Sequence, residues 1–347
     1  MNTPRIELPY TNWLATDRAA WDALFRESDL LDGQGESVHW VEVTRRTNAK
    51  HYVRWLGWLA ASDLLECDAH PGERVTQERV EAYARSPIDR VAPRTTASAL
   101  IGLKCVMQRM NPEGDWRWLK DLTNRLDRWA TPSRTPRDPG LSAHMMFRQL
   151  LAELERQARG SLETRRDQLL YRDTLIVAIL LTCPIRLRNL AMMEVGRHLI
   201  HLGSEWHLRF AASETKTGQP IHLVIPEELA PFIERFLQWV RPALPGAANH
   251  GHVWPACKGR PMAYETHYAS VVRRSRDVFG VAINAHAFRS IAATFLAECS
   301  PKDALYARPL LGHRQGETTE RYYIRASQIK AARSVSAALC EIRDAST

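Results

Sequence analysis

Apolar positions in the first 130 residues recur three and four apart, the spacing that puts side chains on one face of a helix. Trp21, Leu24 and Phe25 form the first such group, with Thr16 placed to cap its start. Tyr52, Trp55, Leu56, Leu59 and Leu64 form a second. Thr76 opens a shorter one through Val80 and Tyr83, with Arg79 where a capping box would carry an acid. Leu100, Leu103, Met107 and Met110 mark a fourth, stopped before Pro112, and Trp116, Leu119, Leu122 and Leu126 mark a fifth. Stripes of Leu, Met and aromatic residues at this spacing predict a packed helical core.

The pattern then breaks. Residues 131–140 hold three Pro and a Gly, which forbid a continuous helix or central strand and predict a stiff linker. Residues 175–181 form an unbroken apolar run with no polar face, hence a buried element. Trp206 to Phe210 and Ile221 to Ile225 instead alternate around a Gly-containing turn, predicting a β-hairpin with Lys216 at or beside its tip. Pro226, Glu227 and Glu228 suit the start of a helix through Phe232, Phe236 and Val240. Ile329, Ala332, Val335, Leu339 and Ile342 lie on one face of a last helix, whose stripe must bury somewhere.

A chain of 347 residues with 45% apolar content fits two domains. Its formal charge of +8 and pI near 9.3 suit a polyanion without specifying one. The six cysteines are scattered, so a disulfide framework or zinc knuckle is excluded and a reducing compartment is expected. Residues 1–5 contain no signal-peptide core, and no apolar run reaches the ~20 residues of a membrane span. A cytoplasmic, nucleoid-associated location is therefore expected, with no membrane contact. His250 and His252 invite a metal, but no third ligand stands at fitting spacing, and no Gly loop followed by Lys-Ser/Thr cradles a phosphate. No metal, ATP or other cofactor is expected.

The last third carries the chemistry. His286 and Arg289 stand in His-x-x-Arg, Leu311 and Gly312 precede His313, and Thr318, Thr319, Glu320 and Arg321 lead to Tyr322. An Arg fork holds two oxygens of one phosphate, a His passes protons near neutral pH, and a Tyr hydroxyl is a nucleophile. One Arg rarely suffices for a phosphoryl transfer, and Arg186, just beyond the buried run, is the second. Arg188 would face elsewhere on a restarting helix. Tyr323 points about a hundred degrees away from Tyr322 and reads as a packing residue.

Together, Arg186, Lys216, His286, Arg289, His313 and Tyr322 resemble the active site of the tyrosine recombinase (phage integrase) family, over roughly residues 142–330. The family commonly has Gly where Pro184 stands, and often an acid where Asn189 stands. Both positions bear on local backbone geometry rather than on the chemistry. The resemblance implies a Tyr322 nucleophile, a phosphate clamp of Arg186 and Arg289, and Lys216 as general acid for the leaving 5′-oxygen. It further implies His286 as proton acceptor or relay and His313 as a hydrogen-bond donor to the phosphate.

The expected fold is mainly α with a small antiparallel β-sheet, a helical N-terminal DNA-binding domain preceding an α+β catalytic domain. The expected divisions are an extension at 1–40, a DNA-gripping domain at 41–130, a linker at 131–141, a catalytic domain at 142–328 and a C-terminal helix at 329–347. Lys50, Arg54, Arg94 and Lys104 are candidate phosphate contacts in the helical domain. The implied activity is site-specific DNA recombination through 3′-phosphotyrosyl intermediates, on double-stranded DNA bearing recombination sites. A homo-tetramer is implied, with accessory proteins as further partners and the C-terminal helix docking on a neighbouring protomer rather than in cis. Type IB topoisomerase-like strand relaxation, and an inactive DNA-binding protein of the same fold, are the alternatives.

Overall fold

The computed structural model describes residues 7–27, 35–86, 92–130 and 140–299. His313, Tyr322, Tyr323 and the apolar stripe at 329–342 lie outside them. The chain divides into two compact units, Met1–Thr135 and Pro136–Thr347.

The first unit is helical: α1 (Ala15–Ala23), α2 (Glu42–Ala61), α3 (Gln77–Arg85), α4 (Pro93–Met110) and α5 (Arg117–Trp129). Thr76 caps α3 as expected, its hydroxyl accepting the Arg79 amide at 3.3 Å. Thr16 does not cap α1. The helix begins one residue earlier, at Ala15, and the Thr16 hydroxyl is buried without a partner among the described residues. What fixes this helix start is Asp17, fully buried, paired with Arg74 at 2.6 Å and accepting the Tyr52 hydroxyl. A buried carboxylate is stable only when paired in this way. Trp13, Trp21 and Leu24 share one core with Tyr52, Trp55, Leu100, Leu103 and Leu119. Part of the segment set apart in the sequence as an N-terminal extension thus completes the helical core.

The second unit is built around α7 (Arg165–Thr182), which packs against α6 (Ala143–Arg159), α11 (Tyr264–Phe279) and α12 (Ala285–Cys299). Its apolar run, Leu175 to Leu181, is buried throughout. Thr164 and Ser142 cap α7 and α6 through their hydroxyls. The short α8 (Leu187–Ala191) follows, then an antiparallel sheet in the order β1 (Leu199–Leu202), β2 (Glu205–Phe210), β3 (Ile221–Val224). The β2–β3 hairpin is the one the alternation predicts, and β1 extends it through a tight turn at Gly203, which takes φ +61°. Leu208 faces Leu199 and Leu223 across the strands and points into the core.

The helix expected beyond Pro226 is not uniform. It runs as α9 (Ala230–Arg235), a π-helical turn (Phe236–Val240) and α10 (Arg241–Ala243). Pro242 has no amide hydrogen to close an ordinary helical bond, which suits the wider turn before it. Phe236 and Val240 remain buried as the pattern requires.

Candidate active site

Because α7 buries apolar side chains on every face, its C-terminal end is a rigid point in the unit. Cys183 ends it, and Cys183 and Ile185, each 1% exposed, hold the following segment against the core. Arg186 then stands in extended conformation at the start of α8, and Leu187 and Leu190 anchor that helix inward. The Arg186 side chain is half-buried, and burial pushes its pKa below the ordinary arginine value. Among the described residues no carboxylate pairs with it. Arg188 points to solvent.

Asn284 caps α12, its side-chain oxygen accepting the Ala287 amide at 2.9 Å. Phe288, fully buried, fixes the rotation of the helix. Its neighbour Arg289 is 5% exposed and donates to the carbonyl of Pro184, two residues before Arg186. The second arginine is therefore held on the very segment that presents the first. His286 lies one turn before Arg289 on the same helix. Its side chain is exposed, and its pKa is lowered, first by partial desolvation and then by the charges of Arg289 and Arg186. The shift favours the uncharged imidazole, which is able to accept a proton. The helix N-terminus adds to this effect.

Three of the six expected site residues are accordingly brought together: Arg186, His286 and Arg289. Lys216 is exposed on the loop between β2 and β3, and among the described residues no hydrogen bond or ion pair joins it to the other three. His313 and Tyr322 lie outside the described residues. Nothing in the chain's pattern announced that Asn189 donates to the Glu214 carbonyl at 3.1 Å, tying α8 to the Lys216 loop. The only hint was an amide where the resembled pattern often has an acid.

The His250 and His252 rings lie 5.6 Å apart, and among the described residues no group of three metal-ligating side chains forms. Arg241 instead organises this loop by donating to the carbonyls of Ala247, His250 and His252. In the first unit, two of the candidate phosphate contacts are already engaged: Arg54 with Glu7 at 3.4 Å and Arg94 with Asp127 at 2.5 Å. Lys50 is exposed. Among the described residues no helix is long and apolar enough to cross a membrane.

A family model described as the phage integrase family matches residues 148–328. A solved structure of XerH site-specific recombinase, bound to palindromic difH substrate in a post-cleavage complex, is 14% identical with a TM-score of 0.58, over 84% of this chain and 80% of that one. A lambda integrase (75–356) dimer bound to a COC′ core site is 15% identical with a TM-score of 0.54, over 88% and 93%. A lambda integrase tetramer bound to a Holliday junction is 14% identical with a TM-score of 0.51, over 88% and 76%. At such identities the likeness is one of fold, a mainly helical chain with a small antiparallel sheet. A search of curated proteins gives no match.

Proposed function

The chain belongs to the phage integrase family, whose members are tyrosine-type DNA strand transferases, and from that premise we propose that it is a site-specific DNA recombinase working through a 3′-phosphotyrosyl intermediate. The observation that carries this reading is the half-buried Arg186, with no carboxylate partner among the described residues, beside His286 and an Arg289 anchored on the same backbone segment. Two partly desolvated arginines beside an exposed imidazole suit a phosphodiester whose charge grows in the transition state. In this reading the Tyr322 hydroxyl attacks phosphorus and the bond to the 5′-oxygen breaks. His286 takes the tyrosine proton, Lys216 supplies one to the departing 5′-oxygen, and His313 hydrogen-bonds the phosphate. One P–O bond is exchanged for another, so rejoining reverses the same step without ATP.

Replacing Tyr322 by Phe is expected to preserve DNA binding and abolish the covalent protein–DNA adduct on a nicked substrate, while Tyr323→Phe keeps it. An adduct from Tyr322→Phe that Tyr323→Phe lacks would move the nucleophile. Wild-type protein that binds DNA but never forms an adduct would leave a binding protein of the same fold.

Recombination also needs two duplexes held together, and we propose a homo-tetramer on paired sites. Light scattering of the complex on full-site DNA is expected to give the mass of four chains. A one-chain complex that relaxes supercoils would instead favour topoisomerase-like strand relaxation.

A further inference from the structure

Lys216 is exposed, and an acid on a freely moving loop would spend little time at the leaving oxygen. This loop is held at its root. Glu214, two residues before Lys216, accepts the Ala211 amide on Oε2 at 2.8 Å. Its Oε1 faces His198 Nε2 at 3.2 Å and is also met by the Arg197 guanidinium. Its carbonyl accepts the Asn189 amide at 3.1 Å. The loop neck is closed by the Thr215 hydroxyl, which donates to the Gln219 carbonyl at 2.7 Å, with Gly218 at φ +66° completing the turn.

The anchor is itself fixed. His198 is 1% exposed and its ring stacks on Phe210, with centroids 4.9 Å apart. Its Nδ1 lies 3.0 Å from the Glu194 amide. A backbone amide can only donate, so Nδ1 accepts, and the ring proton sits on Nε2, directed at Glu214. The Ala211 amide, then His198 and Arg197, hold the Glu214 carboxyl below its ordinary pKa, so it stays charged. On the other side, Asn189 is 2% exposed and lies one turn after Arg186. A carboxylate at 189 could not donate to a carbonyl; the amide does.

We propose that Glu214 is a positioning residue for the leaving-group acid. Clamped by His198, Arg197 and Asn189, it sets the root of the Lys216 loop against the segment that presents Arg186. The proposal rests on the reading of Lys216 as the general acid, and it makes a separate demand: loosening Glu214 should impair proton delivery and leave the phosphate clamp intact.

Cleavage of two matched DNA substrates by the full-length protein tests this, one with the natural 5′-oxygen and one with a 5′-bridging sulfur, whose thiolate leaves without a proton. Loss of a general acid costs 10²–10⁴ in rate, and Glu214→Ala, which only misplaces one, is expected to cost roughly 10- to 100-fold on the oxygen substrate at little change in KM. On the sulfur substrate it should cleave within about threefold of wild type by the same logic. Glu214→Gln, whose single amide oxygen can replace only one of the two acceptors, that for the Ala211 amide or that for the His198 proton, should fall between. Equal slowing on both substrates, or wild-type cleavage of the oxygen substrate by Glu214→Ala, overturns the proposal. Lys216→Ala runs beside it: failure of sulfur to rescue that variant removes Lys216 from the acid role and takes the proposal with it. Should Glu214→Ala not fold, Asn189→Leu, which removes the donor to the Glu214 carbonyl, carries the same comparison.

Discussion

His267 shows how one residue can set a condition on the whole fold. It is fully buried on α11, its Nδ1 lies 3.0 Å from the Ala263 carbonyl, and its Nε2 has no partner among the described residues. Burial pushes its pKa down to about 4. An unfolded histidine titrates near 6.5. Above that pH neither state binds the proton, and the residue leaves stability unchanged. Between 6.5 and 4 the unfolded chain binds a proton that the folded chain refuses, so stability falls as pH drops, by roughly 3 kcal/mol at the lower end. Urea unfolding at pH 7 and pH 4.5 should show this loss in the wild type and less of it in His267→Gln. The same pH slope in both would sink the assignment. Residues of this kind are hard to read in a sequence, because a buried neutral His and a solvated one are written with the same letter. Arg186, His286 and Arg289, which the fold brings together, stood out in the sequence by residue type and by the His-x-x-Arg spacing that puts two side chains on one helix face. Thr16 misled because a cap is decided by where the helix begins, and the buried Asp17–Arg74 pair decides that here.

Elements with one dominant periodicity were readable. The alternation of β2 and β3 gave the hairpin, and the apolar run within α7 gave a buried element without saying that it is a helix. Helices α6 and α11 have a mixed inner face, since part of what they bury is polar. Arg274, 6% exposed, reaches from α11 to Glu153 on α6 and donates to the Thr174 hydroxyl on α7 at 2.8 Å. Gln157 donates to the same hydroxyl at 3.1 Å and to Glu153 at 2.8 Å. Beside them, Arg172 pairs with Asp173 at 2.6 Å and donates to the Pro255 carbonyl at 2.6 Å. A polar seam of this sort, its donors paired although the Gln157 Oε1 has no partner among the described residues, fixes how three helices meet. It also interrupts the apolar stripe on which periodicity depends. Strand β1 escaped for a different reason: at four residues, 199–202, it is too short to show alternation. These elements matter to the site because α7 ends at the segment presenting Arg186, α12 packs on α7 to bring Arg289 there, and α11 leads into α12 through the Ser275 hydroxyl, which accepts the Ile283 amide at 2.8 Å.

At the scale of the whole molecule, the two cores share no residue. One gathers Trp13, Tyr52, Trp55 and Leu103, the other Leu150, Leu175, Leu208 and Phe288. Each buries enough large side chains to expect folding without the other. Arg186, Lys216, His286 and Arg289 all belong to the second unit, so the chemistry should survive separation while grip on the DNA should not. A chain of residues 136–347 is expected to melt cooperatively and still to form the covalent adduct on a nicked substrate. If the first unit supplies phosphate contacts, the fragment should bind more weakly than the full chain, and its affinity should fall less steeply with salt. Loss of the adduct from a well-folded fragment would mean that the first unit takes part in catalysis. Loss of the cooperative melt would mean that the second core depends on the first.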